Sequence, residues 1–344
     1  MRHTIYFQVK WILALEQRPF HGVKKMLGDP GLATKLRTQL RLPVLVGPMF
    51  LVSGPDLVIA CSQAGVAGSF PTLNARTTAI LDQWLARITA ELKPGAAPYA
   101  ANLIVHPTNT RLAEDVDLVA KHKVPLVIAS VGNPGRVVAA VKGYGGLIFS
   151  DVASLKHARR AAETGVDGLI LLCGGSGGNT GWLNPFAFVT AVRKFFAGPL
   201  VLAGAISNGR LIHVAEELGA DFVYAGTPFI AATESMAADD YRQMLIESNA
   251  DDIQLTAEVT GIPANMLRKS LERSGFKPEA KHDGFNLLKE IETLKAWRDI
   301  WSAGQGVGDV ERVEPAAAVV ERMAHQYNAA RTASQERFAR RQAT

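Results

Sequence analysis

GLILLCGGSGGNTGWLNPFAF, residues 168–188, opens like a strand and ends like a helix. Its apolar run through Cys173 gives way to Gly174, Gly175, Gly177, Gly178 and Gly181, a loop almost without side chains. So many glycines allow positive φ and let backbone approach a flat ligand closely. Asn184 followed by Pro185 supplies a helix cap and a first-turn proline, so a helix should run from there through Phe196. Strand, open glycine loop, helix is the α/β unit that places a ligand at the carboxyl end of its strand. Alone, the cluster reads equally as a surface loop, and it lacks the GxGxxG spacing of dinucleotide sites.

The same rhythm recurs outward from it about every 25 residues. Short runs with the apolar, often β-branched composition of buried strands fall at 43–46, 66–69, 99–105, 125–129, 146–149, 168–173, 199–203 and 222–225. Helical patterns separate them at 55–63, 76–92, 110–122, 134–141, 154–163, 185–196 and 208–218. Eight such units most simply close into a (β/α)8 TIM barrel over residues 41–234, with an open doubly wound sheet as the competing architecture. The rhythm then stops. Residues 235–314 read as a smaller, mostly helical C-terminal cap, with helices expected at 239–247, 264–274 and 285–303. Residues 315–344 read as a helix returning to the barrel, followed by a polar tail.

Composition fits a large folded core: 344 residues, 48% hydrophobic and 20% charged. The net charge of +5 is misleading, because residues 1–41 hold eight basic and two acidic side chains and the remainder is nearly neutral. Residues 1–40 are read as a basic helical extension, and no basic face with interleaved aromatics points to nucleic acid. No apolar run reaches membrane-span length. Cys61 and Cys173 have no metal or disulfide spacing, so a reducing cytoplasmic setting is expected and no metal is.

In a barrel the loops after the strands carry the chemistry. They offer Gly47, Pro48 and Met49 after the first strand, Asn102 on the third with His106 beyond it, and Ser130 after the fourth. Asp151 ends the fifth, in a position to cap a helix or contact a cofactor. Asn179 lies in the sixth loop, with Trp182 beyond it as a pocket wall or a core residue. After the seventh and eighth come Gly204 with Ala205 and Gly226 with Thr227, whose backbone N–H groups beside helix starts suit a phosphate. Tight turns needing glycine for geometry are the plainer reading. His157, His213 and His122 fall on helices or their ends, away from this face.

Taken in order, LPVLVGPMFLVSGPDLVIACSQAGVAGSFPTLNARTT, ANLIVHPTNTR, GGSGGNTGWLNPFAFV, LAGAISNGR and GADFVYAGTPFIAATES resemble the nitronate monooxygenase (2-nitropropane dioxygenase) family. The resemblance covers roughly residues 40–275 and implies an FMN-dependent TIM barrel acting on a small-molecule substrate and O2. Relatives of that type include NAD(P)H-dependent quinone and enoyl reductases. By resemblance, Gly47, Pro48, Met49 and Asn102 would line the flavin ring with Gly178 beside it, while Asp151 and Gly175 are candidate cofactor contacts from their loop positions. Gly204, Gly226 and Thr227 would by the same resemblance hold the phosphate, and Ala205 joins them as a loop amide read from its position.

One position departs from the family pattern. Where the sixth loop usually reads GGH, this chain has Asn179, an amide that cannot take a proton near neutral pH. Oxidation of a nitronate, already an anion, survives that change better than proton abstraction from a neutral nitroalkane. His106 is the topological candidate to replace the histidine. A flavin-binding protein without turnover is the reading from another class, and no oligomer signal is evident.

Overall fold

The computed structural model describes residues 26–276 and 295–342. The expected extension over 1–25, most of the expected helix 285–303 and the last two residues lie outside them. Eight parallel strands form the main sheet: β1 (Val44–Val46), β2 (Ser69–Pro71), β3 (Ala100–Ile104), β4 (Leu126–Ser130), β5 (Leu147–Val152), β6 (Gly168–Leu172), β8 (Leu200–Ala203) and β9 (Phe222–Ala225). They run in chain order around a barrel with β1 beside β9. The ring closes between β1 and β2 through the bridge Leu45–Ala67, where Val46 N–H donates to Ala67 O at 2.8 Å. This is the expected TIM barrel. The second strand lies a few residues beyond the expected 66–69, because Val66–Gly68 make only that bridge and a Cβ at Gly68 would meet Val58 O at 2.5 Å.

Inside the barrel, Leu45, Ala67, Ala100, Leu126, Ile128, Phe149, Ile170, Val201 and Phe222 form one buried cluster. Phe149 sits opposite Gly168 in the register, and a Cβ there would stand 2.6 Å from its ring. The glycine that starts β6 therefore makes room for one of the two phenylalanines of the layer. Leu36 and Leu40, at and after the short helix Leu32–Arg37, join the same cluster.

The helix after β9, Thr227–Ile230, has 4 residues and cannot cover its strand. The 27-residue helix Ala316–Gln342 takes that place, packing against helices Gly209–Leu218 and Pro55–Ala64 through Val319, Val320, Met323 and Tyr327. A Cβ at Gly209 would lie 1.9 Å from Met323 O, so the close crossing depends on glycine. Tyr327 Oη donates to Glu216 at 2.8 Å.

The segment after the barrel differs from expectation. Residues 264–274 are not one helix: Ala264–Leu267 is a strand (β11), and only Arg268–Arg273 is helical. β11 pairs antiparallel with β10 (Ile253–Thr256) on one edge and with β7 (Gly178–Asn179), in the glycine loop, on the other. Backbone groups of a two-residue strand need a remote partner, and that pairing overrides the helical pattern.

Candidate active site

Strand alternation builds the floor of the site. Side chains two residues apart share a face, so Ala100, Ile128, Phe149 and Phe222 in the inner cluster put Asn102, Ser130, Asp151 and Tyr224 in the next layer, at the carboxyl end of the barrel. These four line one cavity of about 1110 Å³. Three are chained: Asn102 Nδ2 donates to Ser130 Oγ at 2.7 Å, and Ser130 Oγ donates to Asp151 Oδ2 at 2.5 Å. Burial pushes the Asp151 carboxyl up to about 7 against the lowering effect of Ser130. Burial, then the charge of Asp151, holds the Tyr224 phenol well above its ordinary value.

The walls come from the loops. Gly47, Pro48 and Met49 line the cavity after β1, and a Cβ at Gly226 would stand 3.4 Å from Met49 Sδ, so the turns after β1 and β9 nearly touch. Gly178 and Asn179 line it from β7, held by Ala264 and Asn265. Asn265 Nδ2 donates to Ser176 O at 2.7 Å and Thr180 N–H to Pro263 O at 3.0 Å, which fixes the glycine loop from above. Gly204, Ala205, Gly226 and Thr227 line the opposite side. Gly204 (φ 142°) and Ala205 (φ 54°) both take positive φ, but the open Ala205 amide expected for a phosphate is not there: it donates to Gly175 O at 3.2 Å. Gly175 itself does not face the cavity and serves as a joint, its carbonyl also accepting from Gln305 N–H at 3.0 Å.

That second bond comes from a segment the sequence reading missed. Residues 303–309, AGQGVGD, return over the turns after β8 and β9. Gly304 N–H donates to Thr227 Oγ1 at 2.9 Å, and Asp309 Oδ2 accepts from Ser207 Oγ at 2.5 Å and Asn208 Nδ2 at 2.7 Å. A Cβ at Gly306 would meet Ser207 Oγ at 2.5 Å and Ala205 O at 2.8 Å. Three alternating glycines in an otherwise helical region were the available signal.

Other assignments move. Trp182 is 80% exposed and walls nothing, whereas Trp297 and Trp301 line the cavity. His157 lines it too, on helix Leu155–Glu163, rather than facing away. His106 also lines it, with Nδ1 2.8 Å from Thr108 Oγ1 and accepting from Thr108 N–H at 3.3 Å. His122 pairs with Asp82 at 2.6 Å, and His213 packs edge-on to Tyr327. Cys173 is buried, its thiol pushed up to about 12 by burial, and is no nucleophile.

Among the described residues, four buried side-chain polar atoms lack a hydrogen-bond partner: Asp151 Oδ1, Asn179 Oδ1, Tyr224 Oη and Arg242 Nε. The first three residues line this cavity. Orphaned polar atoms are costly, and three of the four belong to residues lining one cavity, where a polar ligand could satisfy them.

The sequence profile of nitronate monooxygenases matches residues 33–326. The chain belongs to the nitronate monooxygenase family. It is 26% identical to a nitronate monooxygenase of Paraburkholderia phytofirmans, over 69% of this chain and 76% of that one. It is 28% identical to (3aS,4S,5R,7aS)-5-hydroxy-7a-methyl-1-oxo-octahydro-1H-indene-4-carboxyl-CoA dehydrogenase of Mycobacterium tuberculosis, over 67% of this chain. The chain spans 64% of that dehydrogenase's length. Among solved structures, FabK from Thermotoga maritima superposes with a TM-score of 0.75 at 25% identity, covering 90% of this chain and 98% of the other. The family is one of oxidoreductases. No helix among the described residues is long and apolar enough to cross a membrane.

Proposed function

We propose that this family member binds FMN in the cavity and oxidises small, already anionic substrates of the nitronate type, with O2 as electron acceptor. The cavity fits the group on three counts: its orphaned polar atoms, its wall of closely spaced glycine turns and its apolar Met49 and Trp297. Gly47–Met49, Asn102, Asp151 and Gly178 would hold the ring, and Gly204, Gly226 and Thr227 the phosphate, while the Ala205 and Gly304 amides brace that turn through Gly175 O and Thr227 Oγ1. The flavin supplies a two-electron acceptor that can pass electrons on to O2.

The observation that carries the substrate class is Asn179. Its backbone is pinned by β11, and its amide oxygen is buried at the cavity wall without a partner. An amide there can orient a substrate but cannot remove a proton. Oxygen uptake with propyl nitronates and with the parent nitroalkanes tests this. The nitronates should turn over, with the nitroalkanes at least about 100-fold slower, the usual worth of a general base. Asn179→His should restore nitroalkane turnover, and equal wild-type rates on both would refute the assignment.

A second reading is supported by the dehydrogenase relative and by a cavity reaching His157, Arg160 and Thr164 beyond the ring site. It is a reductase or dehydrogenase using NAD(P)H or a larger acyl substrate, distinguished by anaerobic bleaching of the flavin with NADH or NADPH. The two buried free cysteines suit a cytoplasmic enzyme.

A further inference from the structure

Asp151 Oδ1 and Tyr224 Oη are buried without partners, and their hydrogen-bonding roles go beyond the general cofactor contact assigned to Asp151 above. Both residues stand in the polar layer directly above the inner core, on β5 and β9. We propose that Asp151 Oδ1 and Tyr224 Oη together donate hydrogen bonds to one electron-rich carbonyl oxygen of the flavin ring, and that Asp151 does so only while it carries its proton. This rests on the FMN reading above.

The hydrogen-bond chain places the proton. Asn102 Nδ2 donates to Ser130 Oγ, which leaves the Ser130 hydroxyl hydrogen pointing to Asp151 Oδ2. Oδ2 is therefore an acceptor, and the proton of a neutral Asp151 must sit on Oδ1, the atom without a partner. Tyr224 is kept un-ionised by burial and by Asp151, so its hydroxyl is also a donor. Two donors without acceptors in one cavity call for an oxygen acceptor. Ionised Asp151 would instead present a buried negative charge to that oxygen, which repels it.

Other ionisable groups lining the cavity are His106 from the loop after β3, His157, Arg160 and Glu163 from helix Leu155–Glu163, and Tyr241 from helix Asp239–Ile246. Burial raises the Asp151 carboxyl and the Ser130 hydrogen bond lowers it.

The test is the affinity of the full-length protein for riboflavin and FMN, read by quenching of flavin fluorescence from pH 5.5 to 8.5. Riboflavin has no phosphate, so its pH dependence reports the ring site alone. For the wild type the riboflavin Kd should be constant at the acid end and rise above about pH 7 toward tenfold per unit. Asp151→Asn keeps a permanent donor and should bind with no such rise. Tyr224→Phe should bind about 3- to 10-fold more weakly at every pH, at the cost of one hydrogen bond, and keep the rise. Ser130→Ala removes the interaction that lowers the carboxyl and should move the rise to higher pH, a shift that loss of packing would not produce. A flat wild-type profile, or an unchanged rise in Asp151→Asn, overturns the pair while leaving the FMN reading intact. Failure of both flavins to bind at any pH overturns both.

Discussion

Replacing Asp151 with Asn should make the cofactor-free protein more stable, and only above mildly acid pH. The carboxyl is held near pH 7 in the native chain against an ordinary value of 3.8. A raised acid penalises the native state as the unfolded chain ionises first. The penalty is absent below about pH 4, grows from there to about 7 and is complete above it. About three pH units at about 1.4 kcal/mol each give an upper bound of about 4 kcal/mol. The residue as a whole keeps some solvent exposure although Oδ1 is buried, so the penalty is set at about 2–4 kcal/mol. An amide of the same shape can still accept from Ser130 and escapes the charge penalty. Urea unfolding of the wild type and Asp151→Asn, followed by tryptophan fluorescence, should give nearly equal midpoints at pH 4.5. At pH 8 the variant should lead by about 1 M, for a denaturant slope of about 3 kcal/mol per M. Coincident curves at pH 8, or a gap already complete at pH 4.5, would refute the placement of the carboxyl in a desolvated layer.

Asp115 is fully buried and accepts from Arg111 Nε at 2.8 Å and Thr72 Oγ1 at 2.7 Å, while Arg111 also ties the Thr72 and Ala75 carbonyls together. Asp115→Ala strands that guanidinium and should cost about 3–5 kcal/mol in urea unfolding; a loss under 1 kcal/mol would show the pair is dispensable. Gly209→Ala pushes a methyl against Met323 O, 1.9 Å away. It should cost about 1–3 kcal/mol and open helix Ala316–Gln342 to limited proteolysis, whereas wild-type resistance would count against the close docking.

The barrel was legible because its strands are buried on both faces, so their composition speaks locally: Val44–Val46, Leu126–Ser130 and Gly168–Leu172 each announce themselves without their neighbours. The sheet formed by Ile253–Thr256, Ala264–Leu267 and Gly178–Asn179 was not, since two residues, one a glycine, become a strand only when a segment about 85 positions later pairs with them. The same non-locality hid AGQGVGD, whose amides find Gly175 and Thr227 across the fold. Tyr224 was invisible for another reason: an aromatic inside an apolar run reads as core, and only its parity with Phe222 in a closed barrel turns the hydroxyl toward Asp151 and the cavity.

These differences bear on how the site handles protons. His106, the topological candidate among the loops to replace the missing histidine, has its Nδ1 engaged by its own turn at Thr108. Asp151, a buried carboxyl, lies instead on a strand, in the polar layer above the inner core, in a chain with Ser130 and Asn102. A base facing the substrate would change which substrates can react, whereas an acid facing the proposed flavin ring would change how strongly it is held in each charge state. Asn179→His and Asp151→Asn should therefore separate cleanly: the first alters the choice between nitroalkane and nitronate at constant flavin affinity, the second alters the pH dependence of flavin affinity at constant substrate preference.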